Sequence, residues 1–162
     1  MAQHQNQDKI PLTSEGLEEL KEEHQKLLEK KRPEAVERLV KARSIGELTE
    51  DNEHSQAKQQ LAFVDGRISE LEEVINRAVL IDEGHGKCQE VRLGCKVTVD
   101  AKKKKHIFHL VGEWEADPAS KKISHKSPLG QSLLGKKVGE KVEVEAPAGK
   151  IVYTIIKVDW RK

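Results

Sequence analysis

Aromatic residues are scarce in this sequence. Its 162 residues include two Phe, two Trp and one Tyr, namely Phe63, Phe108, Trp114, Tyr153 and Trp160. A compact globule of this length normally packs around more rings. Much of the chain is therefore expected to form an elongated, solvent-rich element. No run of about 18 apolar residues occurs, which argues against a membrane-spanning helix. Residues 1–9 are polar and lack the apolar stretch of a secretory leader, so a cytoplasmic location is expected. Two cysteines, Cys88 and Cys95, are too few for a disulfide framework, and a reducing compartment is the default. Neither has a second Cys pair or a well-spaced His pair beside it, as a zinc site needs. His106 and His109 fall on opposite faces if their segment is a strand. A Gly-rich phosphate loop, a nucleophile elbow and an H-E-x-x-H helix are all missing, so no self-contained active site is expected.

What the sequence has in quantity is charge, 35% of all residues, unevenly distributed. Residues 1–82 carry 12 Lys+Arg against 18 Asp+Glu, whereas residues 83–162 carry 17 against 10. An acidic half followed by a basic half suggests two modules that meet different surfaces. The basic half suits nucleic acid or an acidic protein. High charge with few rings is also the mark of disorder, but the apolar residues are spaced too regularly for that.

From Leu12 to Leu80 the spacing is helical. His54, Ala57, Leu61, Val64, Ile68, Leu71, Ile75 and Ala78 recur at alternating intervals of three and four, a heptad seam. Ahead of them Leu17, Leu20, Leu27 and Leu28 lead into Ala35, Leu39 and Ala42, with a phase slip near Lys30–Pro33. Pro33 falls at that slip and predicts a bend. Thr13 or Ser14 suits the N-cap, with Leu12 as a staple residue. Gly46 and Thr49 suit the end of one helix and the cap of the next. So short a link makes the helices antiparallel, giving a coiled-coil hairpin with arms of roughly 50 and 43 Å.

After Ile81 the period changes. Asp82–Gly86 reads as a linker. Strands are expected at Cys95–Asp100, Ile107–Gly112, Lys141–Glu145 and Ile151–Val158, and a short helix at Pro128–Leu134. Lys102–Lys105 is expected at a hairpin tip. The fold class is α+β: an N-terminal antiparallel helical hairpin over residues 1–82, then a small α+β domain over residues 83–162.

The hairpin tip concentrates charge of one sign. Gly46–His54 holds Glu47, Glu50, Asp51 and Glu53 and no Lys or Arg. Carboxylates so placed suit a hard cation such as Mg²⁺, but they are too few for a complete cage, so a second molecule would supply the other ligands. Acids are equally favoured at the start of a helix by its dipole. Arg43 and Lys58 flank the tip. Together with Lys30, Lys31, Arg32, Arg38 and Lys41 they suit a phosphate backbone or an acidic wall, or a solvated face of i,i+4 ion pairs.

Three ordered stretches resemble the Gre family of bacterial transcript cleavage factors. The first is Ile10-Pro11-Leu12-Thr13 with Gly16-Leu17-Glu18-Glu19-Leu20. The second is Arg32-Pro33-Glu34 followed by Ala42-Arg43-Ser44-Ile45-Gly46-Glu47-Leu48-Thr49-Glu50. The third is Ser127-Pro128-Leu129-Gly130 with Leu133-Leu134-Gly135-Lys136 and Val138-Gly139-Glu140. The resemblance implies a coiled coil with an acidic tip, followed by an FKBP-like domain that binds RNA polymerase at its secondary channel. It implies that Glu47 and Glu50, with Glu53 more weakly, help hold a second Mg²⁺ in the polymerase active site. Polymerase then cuts its own backtracked RNA, a two-metal displacement. Arg43 and Lys58 match positions that contact the extruded nascent RNA. Ser127 and Pro128 match a motif near the polymerase contact. The expected protein is thus a monomer with no catalysis of its own, no tightly bound cofactor and no membrane contact.

The tip departs from the family pattern G-D-L-x-E-N-A-E-Y. Glu47 stands for Asp, Asp51 for Asn, Asn52 for Ala and His54 for Tyr. Some relatives with altered acidic tips inhibit polymerase instead, and channel-binding inhibition without cleavage is the alternative function. A prolyl isomerase, suggested by the FKBP-like fold, would need a more aromatic pocket, and fold alone does not give function.

Overall fold

The computed structural model describes residues 9–44 and 50–160, leaving aside the side chains of residues 50 and 51. The chain divides into two compact units, residues 17–78 and residues 9–16 with 79–160.

The first unit is a helical hairpin. Helix α1 (Ser14–Lys26) runs through one π-helical turn (Leu27–Lys31) into α2 (Arg32–Ser44), and α3 (Glu50–Arg77) returns beside them. Pairing across the hairpin is antiparallel: His24 meets Glu72, Arg32 meets Asp65, and Arg38 meets Gln60. The seam buries Leu20, Ala35 and Ala42 against Ala57, Val64, Ile68, Leu71 and Val74. A buried Val, Leu or Ile contributes about 1.5–3 kcal/mol, and an exposed ion pair about 0–1. The seam therefore dominates, and the ion pairs set register. Toward the tip the buried residues are Ala42 and Ala57, whereas toward the base they are Leu20, Leu71 and Val74. Small seam residues let helix axes approach more closely, so the rod is expected to be thinnest near its tip.

The phase slip has a structural answer. Leu27 and Ala35 both face the seam, eight residues apart where a heptad allows seven. The π turn takes up the extra residue, with the Arg32 N–H donating to the Leu27 carbonyl five positions back. The irregularity expected at Pro33 therefore lies just ahead of it, in Leu27–Lys31. Pro33 has no N–H to give, and in a regular α-turn its ring would press on the Glu29 carbonyl. A widened turn at this point suits both constraints.

The second unit begins with strand β1 (Ile10–Leu12), which pairs with β2 (Ala78–Leu80). The helical reading over Leu12–Leu80 thus overran at both ends: helix begins at Ser14 and α3 stops at Arg77. Strands β3 (Cys95–Ala101), β4 (Lys104–Val111), β5 (Lys122–Ser124), β6 (Lys141–Ala146) and β7 (Gly149–Trp160) form one sheet in the order β5-β4-β3-β7-β6. All neighbours are antiparallel except β4 and β5. Helix α4 (Pro128–Leu133) places Leu133 in the core with Val91, Cys95, Val97, Val99, Leu110, Val142, Ile155 and Val158. Strand β3 alternates strictly, buried at every second residue. Strand β7 does not, because its register against β3 shifts between Thr98 and Val99, where Lys157 and Ile155 are the successive partners. Ile156 is the extra residue of this bulge, and the bulge lets Ile155 and Val158 both face inward.

Two lysines, rather than four, make the β3–β4 turn. Lys102 and Lys103 have φ of 52° and 64°, while Lys104 and Lys105 already pair in β4. Two left-handed residues are what a two-residue turn of type I′ requires.

Candidate functional site

The tip acids stand at the link between α2 and α3. Glu47 lies outside the described residues. Glu50 opens α3, and its side chain lies outside them too. Glu53 is exposed one turn further on. Among the described residues, no group of three or more His, Cys, Asp or Glu is disposed to hold a metal ion. Carboxylates are hard oxygen donors of the kind Mg²⁺ prefers.

Beside the tip, the hairpin brings Arg43 to His54. The Arg43 Nε–H donates to His54 Nε2 at 3.4 Å. His54 sits on the seam side and is half-buried, while Arg43 is exposed. Lys58 is exposed and lies four residues beyond His54, on the same helix face. Arg43, His54 and Lys58 thus share one side of the rod just behind the tip. His54 was singled out in the sequence for its replacement of an aromatic ring. Its link to Arg43 depends on the antiparallel register and is invisible in the chain order.

Further down, charge is neutralised in pairs. Arg67 forks onto Glu23, with Nε to Oε1 at 2.8 Å and Nη2 to Oε2 at 3.1 Å, and gives Nη1 to Glu70 at 2.8 Å. These hydrogen bonds, Glu23 first, hold its guanidinium above the ordinary arginine range despite partial burial. Lys41 pairs with Glu37, Lys31 with Glu34 and Arg32 with Asp65. Much of the basic stripe is therefore a solvated face with its own counter-charges.

In the second unit, Ser127 caps α4. Its hydroxyl accepts from the Gly130 N–H at 3.0 Å and donates to the Ser124 carbonyl at 2.7 Å. Pro128 follows at the first helical position, where its missing N–H costs nothing, and is exposed. A Cβ on Gly130 would lie 2.0 Å from the Ser124 carbonyl oxygen, so glycine is required there. The Ser-Pro-x-Gly motif thus builds a tight turn. Ser127 serves the turn, and Pro128 is the residue it presents outward.

One buried carboxylate escaped the sequence reading. Glu115 accepts from the Thr13 N–H at 3.0 Å, from the Thr13 hydroxyl, and from the Gly112 N–H at 3.2 Å. Thr13 in turn caps α1 by accepting from the Gly16 N–H at 3.0 Å. No sequence pattern marks Glu115, which looks like any surface acid.

Known proteins resemble the chain throughout. The family model described as "Transcription elongation factor, N-terminal" matches residues 10–80, and "Transcription elongation factor, GreA/GreB, C-term" matches residues 86–159. The chain is 44% identical over 151 residues to the transcription elongation factor GreA of Caldanaerobacter subterraneus subsp. tengcongensis, covering 92% of this chain and 96% of that protein. It is 42% identical over 156 residues to that of Thermodesulfovibrio yellowstonii, covering 94% and 98%. For Lactococcus lactis subsp. cremoris the identity is 42% over 152 residues, covering 93% and 97%. Among solved structures, GreA factor homolog 1 of Thermus thermophilus aligns at 28% identity with a TM-score of 0.44, covering 93% of this chain and 98% of that one. With both family models matched in order and GreA relatives aligned along most of its length, the chain belongs to the GreA/GreB family of transcription elongation factors.

Proposed function

We propose that this chain stimulates RNA polymerase to cleave its own backtracked transcript and so restarts arrested elongation. The observation that carries the reading is the pair of acids, Glu47 and Glu50, at the head of a hairpin that matches the N-terminal model of this family. The taper of the seam to Ala42 and Ala57 supports it, because only a thin element reaches a buried catalytic centre.

In this reading the chain supplies positioning and charge, and polymerase supplies the catalytic site. Glu47 and Glu50 would help hold a second Mg²⁺ in the polymerase active site, and Glu53 would add a weaker contribution. The ion would supply charge neutralisation and activation of water for cleavage of the phosphodiester. Arg43, four residues before Glu47, and Lys58, eight residues after Glu50, hold the phosphates of the extruded nascent RNA. The turn that presents Pro128, capped by Ser127, contributes to docking on polymerase. The factor works as a monomer in the cytoplasm and holds no cofactor of its own.

The test is a backtracked elongation complex carrying 3′-labelled RNA, with Mg²⁺ present. The native chain is expected to release short 3′ fragments, and Glu47→Ala/Glu50→Ala is expected to release none. Slowed elongation without fragments, equal for native and variant, would overturn the reading in favour of channel blocking.

A further inference from the structure

The tip chemistry leaves both cysteines unused, yet the fold brings them together. Cys88 Sγ and Cys95 Sγ are 3.0 Å apart, about 1 Å beyond the covalent S–S distance of ~2.05 Å. The same strand fixes both ends of the connecting loop. The Cys88 N–H donates to the Val158 carbonyl at 3.0 Å, and Cys95 pairs with Trp160 in the β3–β7 register. Gly94, at φ +90°, makes the turn that delivers Cys95 into β3. Cys95 is fully buried, whereas Cys88 is half-buried. Cys88 lines a pocket of about 240 Å³ with Lys87, Gln89, Glu90, Arg92 and Trp160. One sulfur is thus open to a small reagent and the other is shielded behind it. That is the arrangement of an attacking thiol with a resolving partner.

We propose that Cys88 and Cys95 are a modification site that closes to a reversible intramolecular disulfide. The co-reactant is a small-molecule disulfide such as oxidised glutathione. The Cys88 thiolate attacks one glutathione sulfur, forming a mixed disulfide and expelling one glutathione thiolate. The Cys95 thiolate then attacks Cys88 Sγ, and the second glutathione leaves. The protein gives up two electrons and two protons, and one oxidised glutathione becomes two reduced ones. Reduced glutathione in excess reverses both steps.

Closure would tie down the segment that braces the end of α4. Val91, inside the loop, accepts from the Gly135 N–H at 2.9 Å and donates to the Lys136 carbonyl at 2.8 Å. The bond would hold that brace in place and remove loop entropy from the unfolded chain. Burial, followed by the Cys95 contact, pushes the Cys88 thiol up to about 12, so at neutral pH little of the attacking thiol is ionised. Oxidation is accordingly slow near pH 7 and accelerates by up to about tenfold per pH unit above it.

The experiment titrates the full native chain in glutathione redox buffers, then traps free thiols by alkylation and weighs the product. The expected result is a monomer 2 Da lighter with no alkylatable thiol, and a melting temperature raised on the order of 5–10 °C. Cys95→Ala should stop at a stable glutathione adduct on Cys88. Because Cys95 is buried and its variant could fold poorly, Cys88→Ala serves as a second control and should take up no glutathione. A native chain that accumulates the adduct, forms dimers, or loses 2 Da only in urea would overturn the proposal.

Discussion

Glu115 offers a sharp test of how the second unit is held. Three donors converge on its buried carboxylate, the Thr13 N–H, the Thr13 hydroxyl and the Gly112 N–H. Removing the acceptor strands two backbone N–H groups and a hydroxyl. Each buried unsatisfied group costs about 1–3 kcal/mol, and water entering the gap recovers part of it, so Glu115→Ala should cost about 3 kcal/mol. Gly16 adds an independent handle. A Cβ placed there would lie 2.0 Å from Glu115 Oε1. Gly16→Ala can be accommodated only if the carboxylate moves off its donors, so alone it should cost about as much as Glu115→Ala. In the double variant the clash is gone, and alanine is the better helix former by about 1 kcal/mol. The double variant should therefore be no less stable than Glu115→Ala, a coupling of about 3 kcal/mol. Both tryptophans, Trp114 and Trp160, lie in the unit concerned. Urea unfolding followed by tryptophan fluorescence thus reads that unit directly. A cost of 3 kcal/mol corresponds to roughly 12–24 °C in the melting temperature of a unit this size. Additive costs for Gly16→Ala and Glu115→Ala would refute the reasoning, as would a Glu115→Ala cost below about 0.5 kcal/mol.

Two further variants test the hairpin and the lysine turn. Arg67→Lys replaces a fork on Glu23 with a point charge and should cost the hairpin about 0.5–1 kcal/mol by thermal melting in low salt, shrinking as salt rises. Lys102→Asn/Lys103→Gly places residues that favour left-handed backbone at both turn positions. It should raise the stability of the second unit by about 1–2 kcal/mol in urea titrations. An unchanged midpoint would show that the turn is not strained.

The helical half was legible because a seam repeats. Its period locates Ala57, Val64, Ile68 and Leu71, and all four are buried. Val74 is also buried but sits beside the seam position Ile75, where period alone does not choose between neighbours. The four longer strands were legible from their apolar runs. Strands β1, β2 and β5 were not, since three residues are too few to show a period. The Ser127–Gly130 motif was visible, but only the structure shows the Ser127 hydroxyl occupied within its own turn. Glu115 was illegible because its donors come from Thr13 and Gly112, and Thr13 is distant in the chain. At the tip, Arg43 and Lys58 are exposed, whereas Glu47 lies outside the described residues.

The π turn at Leu27–Lys31 separates two properties that a plain helix ties together. Each residue added to an α-helix lengthens it by about 1.5 Å and rotates everything beyond by about 100°. Here one residue is added and the rotation is absorbed within a single turn, so Ala35 and Ala42 keep facing the seam. Wound back into regular α-helix, the same sequence would swing Arg43 roughly a quarter-turn about the axis, away from His54. The turn thus uncouples residue count from aim: the arm takes in one more residue while its far end keeps its orientation.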